Sequence, residues 1–154
     1  MIVKVPSTRV IGVDASNEAV DLARRNAERL GLDVDFQAGD VTDPALLAGL
    51  SGGVDLVVAN PPYIRAGTAL PTEVTEHDPS AALWGGGRDG LDLPRLFLAA
   101  AARLLRPGGT VVMEHDETQG PALRDAASGA FTGVRIHADL TGRDRYITGR
   151  RTPT

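Results

Sequence analysis

Four residues, Asn60-Pro61-Pro62-Tyr63, stand directly after an apolar run and carry the strongest chemical signal in the chain. A specified four-residue string arises by chance in a chain of this length at on the order of one in a thousand. Each proline fixes its own φ and biases the residue before it toward extended geometry, so the turn is stiff. That stiffness holds the Asn60 side chain and the Pro61 carbonyl at the C-terminal end of a strand, where open α/β sheets bind ligands. The two oxygens can accept both hydrogens of an NH₂ group, and Tyr63 can wall in a planar substrate. The competing reading is a plain Asn-Pro turn without chemistry.

Two acids stand at similar points. Asp14 ends an apolar run just before a helical pattern, a place that suits the two hydroxyls of a ribose and equally suits a helix-capping turn. Asp40, after the next run, can accept a hydrogen bond from an adenine amino group while Val41 packs on the ring, or serve as a turn acid. Gly85-Gly86-Gly87-Arg88-Asp89-Gly90 formally matches G-x-G-x-x-G. No strand precedes it and no acid-tipped βαβ unit follows, so it reads as a flexible active-site loop. Glu114-His115-Asp116 does not make a metal site, because alternate side chains of a strand point to opposite faces. Solvated polar residues, or residues supporting a site from behind, fit better. His77-Asp78 stays ambiguous, and His137 reads as structural.

The elements that position these residues alternate between apolar runs and helical patterns, which predicts an α/β sheet. Residues 9–14 (RVIGVD) predict a buried strand. Ser16 caps the next helix, Val20, Ala23, Ala27 and Leu30 form its apolar stripe, and Gly31 closes it. Residues 34–38 predict a second strand, followed by a short helix with Asp43 as cap and Pro44 first. Residues 55–59 (DLVVA) predict the third strand. Residues 64–90 read as a long loop, and loops of that length are usually functional. A helix over 91–105 is stopped by Arg106-Pro107-Gly108-Gly109. A strand over 110–114, a helix over 120–128 and strands over 134–138 and 145–148 complete the chain.

Composition narrows the class. The chain has 154 residues, 42% apolar and 23% charged, as in an ordinary soluble globular domain. It contains no cysteine, which excludes a disulfide scaffold and thiolate chemistry and fits a cytoplasmic protein. No run approaches the length of a membrane span. A net charge of −4 with scattered basic residues argues against a groove for nucleic acid.

The order strand–Asp14, strand–Asp40, strand–Asn60-Pro61-Pro62-Tyr63 resembles the class I methyltransferases that use S-adenosylmethionine. More narrowly, the chain resembles the release-factor glutamine methyltransferase family. The segments that carry this are NPPYI at 60–64, HDPSAALWGGGRDGLD at 77–92, MEHDETQG at 113–120 and DLTGRDRYITGRR at 139–151. The resemblance implies a Rossmann-like sheet with helices on both faces. It implies transfer of a methyl group from S-adenosylmethionine to the glutamine amide of the GGQ tripeptide in a peptide chain release factor, its protein partner, with no metal.

In that scheme Asp14 holds the cofactor ribose, Asp40 and Val41 border the adenine, and Asn60 lies near the transferred methyl. Asn60, Pro61, Pro62 and Tyr63 orient the substrate amide. The family's position at Val41 is often aromatic, so stacking is poorer here. In the family, the first strand and its glycine-rich turn precede the position of Arg9, whereas residues 1–8 here hold no glycine. This implies a single methyltransferase domain over 1–154 lacking that strand and turn, without the family's N-terminal helical domain, and binding cofactor weakly on its own. An adenine or guanine amino-methyltransferase acting on nucleic acid, which shares NPPY, and a non-catalytic fragment are the alternatives.

Overall fold

The computed structural model describes residues 8–77 and 79–153, in two compact units divided between Leu46 and Leu47. Asp78 and the side chain of His77 lie outside the described residues, as do residues 1–7, on which the reading of the missing turn rests.

The first unit contains strand β1 (Ile11–Asp14), helix α1 (Asn17–Leu30) and strand β2 (Asp35–Ala38). Ser16 caps α1 by accepting the Ala19 N–H at 3.2 Å, and Gly31 ends it at a φ of 63°. Both termini stand where the sequence puts them, because capping is local chemistry. Val20 and Ala27 turn inward from α1, while Leu30 at its last position is exposed. β1 and β2 pair in parallel from Ile11 opposite Asp35 to Asp14 opposite Ala38. β1 is not a buried strand as expected: Val13 and Asp14 are exposed. Among the described residues of this unit, α1 packs against the strand pair.

The helix expected after Asp43 does not form. Asp43 Oδ1 accepts the Ala45 N–H at 2.8 Å over an isolated turn, and a short 3₁₀ turn follows at Ala48–Leu50. Between them Leu47 adopts a φ of 53°, which an α-helix cannot pass through.

The second unit holds β3 (Val54–Ala59), α2 (Thr72–His77), α3 (Asp92–Leu104), β4 (Leu105–Glu114), α4 (Gly120–Ala127), β5 (Phe131–Ala138) and β6 (Asp144–Arg151). Its sheet runs β3-β4-β6-β5, with β3 parallel to β4 and β6 antiparallel to both neighbours. Leu98 of α3 and Leu123 of α4 meet Val111, Met113 and Ile147 in one core on one face of the sheet. Val57 and Ala59 pack against that core, whereas Leu56 and Val58 on the other face are 53% and 70% exposed.

Arg106-Pro107-Gly108-Gly109 ends the helix as expected, yet it already belongs to β4. Leu105 pairs with Val54 and Thr110 with Leu56, so the four residues bulge out opposite a two-residue step on β3.

The turn joining β5 to β6 is held by one carboxylate. Asp139 accepts from the Thr141 hydroxyl at 2.6 Å, the Thr141 N–H at 2.8 Å, the Arg143 N–H at 3.2 Å and Arg145 Nε at 3.3 Å. These bonds, the Thr141 hydroxyl first, outweigh desolvation and hold its pKa at about 2, against an ordinary 3.8. The native state therefore favours the ionised form. The resulting stabilisation is complete above the ordinary value and is lost as pH falls through about 2. The carboxyl carbon resonance of Asp139 should titrate with that low midpoint. Asp139→Asn should remove this part of the acid-side loss of stability, and a midpoint at the ordinary value overturns the assignment.

Candidate active site

Within the second unit, the chain leaves β3 at Ala59, which pairs with Met113 of β4, and enters the Asn60–Tyr63 turn. Pro61 is buried and Asn60 is exposed. Neither the Asn60 side chain nor the Pro61 carbonyl takes a hydrogen bond from a described residue. Two unengaged acceptors thus stand at the C-terminal end of a parallel strand. With Pro62, Tyr63, Ile64, Ala82 and Leu83 they line a cleft of about 120 Å³. Sites for whole small molecules run to roughly 300–1,000 Å³, so this cleft suits one side chain.

Tyr63 is fixed at both its polar ends. Its hydroxyl donates to Glu114 Oε1 at 3.0 Å, and its carbonyl accepts from Gln119 Nε2 at 2.9 Å. Burial and then the Glu114 carboxylate push the phenol above its ordinary pKa, against an opposing effect of Arg145. The phenol stays protonated and is committed as a donor, so it walls the cleft without acting as a base.

The segment over 64–90 is more ordered than a plain loop. It carries α2 and a 3₁₀ turn at Ser80–Ala82, and Ile64 pairs with Trp84. The Ile64 N–H donates to Leu83 O at 2.9 Å and the Gly85 N–H returns to Ile64 O at 3.0 Å. Its glycines serve close approach, not flexibility. A Cβ on Gly85 would lie 2.0 Å from Gly90 O and 2.8 Å from Tyr63 Cα, and one on Gly90, at a φ of 71°, would lie 2.4 Å from Tyr63 O. The G-x-G-x-x-G string is therefore a backbone seat for the Asn60–Tyr63 turn.

Beyond β4 the strand alternation sends Met113 and His115 to the buried face and Glu114 toward Tyr63. His115 is 0% exposed, which excludes the solvated alternative and leaves that of a residue supporting the site from behind. Its Nδ1 lies 2.8 Å from the Asp116 carbonyl, which can only accept, so Nδ1 carries the proton. Nε2 is buried without a partner among the described residues. His137 is structural: its ring stacks on Tyr146 at 4.7 Å and its Nε2 meets Thr148 Oγ1 at 2.8 Å.

In the first unit Asp14 is the last residue of β1, and Asp40 stands just past the end of the adjacent parallel β2. Asp14 Oδ1 accepts the Ser16 N–H and Asp40 Oδ1 the Thr42 N–H, each at 2.8 Å. The turn reading of both acids is thus realised, and the second oxygen of Asp14 takes no hydrogen bond from a described residue. The Thr42 backbone N–H, and then its side chain, hold the Asp40 pKa below the ordinary value. Val41 beside it is half-buried.

Residues 2–138 match a family described as a methyltransferase domain. The chain belongs to that family. This methyltransferase domain is 48% identical over 148 residues to the release factor glutamine methyltransferase of Mycolicibacterium smegmatis, covering 95% of this chain and 52% of that protein. It is 43% identical to the enzyme of the same name from Deinococcus radiodurans, with 96% and 51% covered. The domain spans about half the length of these curated relatives. Among solved structures it resembles a methyltransferase from Pyrococcus furiosus, with a TM-score of 0.67 at 18% identity, covering 94% of this chain and 64% of that one. TrmN from Thermus thermophilus gives 0.64 at 24%, covering 96% and 37%. These two establish the class I methyltransferase fold.

One participant in the domain's site, Gln119, has no role in the sequence pattern; Glu114 is the supporting polar residue that one of its two readings expects, and Gly85–Gly90 lie against the site as packed backbone instead of a flexible loop. Gln119 carried a detectable signal. It precedes buried Leu123 and Ala127 at four-residue spacing, so it is a polar residue on an apolar stripe. Among the described residues no helix is long and apolar enough to cross a membrane.

Proposed function

We propose that this domain methylates the side-chain amide nitrogen of a glutamine, using S-adenosylmethionine, within the GGQ tripeptide of a peptide chain release factor. One observation carries the reading: the unengaged Asn60 and Pro61 acceptors lining a cleft sized for one side chain. The named relatives support it. The carboxylates of the first unit fit a nucleoside, since Asp14 keeps one oxygen for a ligand and Asp40 stands just past the end of the neighbouring parallel strand. Asp14 would hold the ribose hydroxyls, and Asp40 with Val41 would border the adenine. When bound, the cofactor supplies an electrophilic methyl on a sulfonium sulfur.

An amide nitrogen is a poor nucleophile because its lone pair is delocalised into the carbonyl. Asn60 Oδ1 and Pro61 O accept its two hydrogens, which fixes the nitrogen's direction and exposes it for in-line transfer. Pro62 stiffens the turn, and Tyr63, locked to Glu114 and Gln119, closes the wall. Neither turn acceptor is basic. The proton that leaves the nitrogen goes to water at the exposed Asn60 edge.

The purified chain, given methyl-labelled cofactor with either a release factor or DNA, decides between acceptors. Label should appear on the release factor and map to the GGQ glutamine. Label on DNA instead supports the nucleic-acid alternative, and label on neither overturns the catalytic reading.

A further inference from the structure

Gln119 stands immediately before α4 with 1% of its surface exposed, and its amide is committed on both sides. Nε2 donates to Tyr63 O at 2.9 Å and to Asp89 O at 3.0 Å, while Oε1 accepts the Asp116 N–H at 3.1 Å. A primary amide has two hydrogens, so both are spent, and each goes to a different segment of chain. One holds the Asn60–Tyr63 turn by its last carbonyl. The other holds the glycine-rich segment, which Asp89 anchors onward through the Leu91 N–H at 3.2 Å and Arg95 at 3.1 Å.

The base of this tie is itself fixed. The Asp116 carbonyl accepts the Gln119 N–H at 2.9 Å, and His115 Nδ1 lies 2.8 Å from the same oxygen. Gln119 touches neither Asn60 nor Pro61, so it can influence them only through backbone.

We propose that Gln119 is a positioning residue for methyl transfer, setting the Asn60–Tyr63 turn by clamping it to the Gly85–Gly90 segment. The proposal rests on the glutamine-methylation reading for its effect on rate, and on the hydrogen bonds alone for its effect on order. No other side chain does both jobs. Leucine fills a similar volume without donors, asparagine is one carbon short, and an ionised glutamate presents oxygen to two carbonyl oxygens. A protonated glutamate has one hydrogen to give.

The test compares Gln119→Leu and Gln119→Glu in the full chain by two readouts, steady-state transfer and amide hydrogen exchange. In Gln119→Leu the Ile64, Gly85 and Leu93 amides should exchange ~10- to 10²-fold faster, while those of Val111 and Met113 keep their protection. kcat should fall by ~10², the effect of misplacing a reacting group by about 1 Å, with KM changing far less. Gln119→Glu should behave like Gln119→Leu at alkaline pH. It should regain protection and rate as pH falls, because protonation supplies one donor; a space-filling role would give no such dependence.

If Gln119→Leu does not fold, the pH response of Gln119→Glu decides alone. Unchanged exchange overturns the clamp, and changed exchange with unchanged kcat overturns the positioning role. A wild-type chain that methylates no glutamine overturns the reading beneath it, and exchange still judges the clamp.

Discussion

Asn60→Ala should lower methyl transfer to a release factor by ~10²–10³, the usual loss when one preorganised polar contact is removed. Thermal unfolding should not move. The Asn60 side chain is exposed and bonded to no described residue, so the fold loses nothing with it. What disappears is one of two acceptors for the hydrogens of the substrate amide. The remaining Pro61 carbonyl can hold the amide but cannot fix its rotation, and an unoriented amide nitrogen presents no defined lone pair. Single-turnover rates for the two proteins, at saturating cofactor, measure the effect. Turnover within threefold of wild type would remove Asn60 from the reaction.

The second large effect falls on stability. Gly90→Ala should cost about 3 kcal/mol, from a strained positive φ and a buried amide that loses a partner. Its new Cβ meets Tyr63 O at 2.4 Å and Gln119 Nε2 at 3.0 Å, so the glycine-rich segment must lift away from the turn. Gly142→Ala is the control. It has a φ of 85° with nothing within 4 Å of its Cβ, and only the backbone strain of about 1 kcal/mol applies. Urea denaturation of both variants gives the difference directly. Equal losses would mean that the close approach at Gly90 contributes nothing.

Legibility in the sequence followed the range of the interaction. Ser16, Gly31 and the Asn60-Pro61-Pro62-Tyr63 turn are specified by their neighbours, and their positions could be read before any fold was known. Asp43-Pro44 shows the limit of that logic: the cap signal is real, but the backbone turns left-handed at Leu47 before a helix can propagate. The apolar run of β3 reads as a strand, and in its own unit Val54, Val57 and Ala59 meet the core while Leu56 and Val58 stay exposed. The glycine-rich segment misleads for another reason. Its glycines are needed by Tyr63, more than twenty residues earlier in the chain, and nothing in their spacing names that partner. Gln119 is similar, since its bonds reach back 56 and 30 residues.

The pairing of Ile64 with Trp84 gives the domain an optical property. Trp84 is the only tryptophan in the chain, and the backbone ladder that carries it ends on the residue after Tyr63. Trp84 is half-buried and directly follows Leu83, which lines the cleft. Emission excited at the red edge of the protein absorbance therefore comes from one place, next to the candidate active site, with no label attached. A shift in its wavelength or its quenching reports seating of an acceptor side chain as it happens, so substrate encounter can be timed separately from the chemistry that follows it.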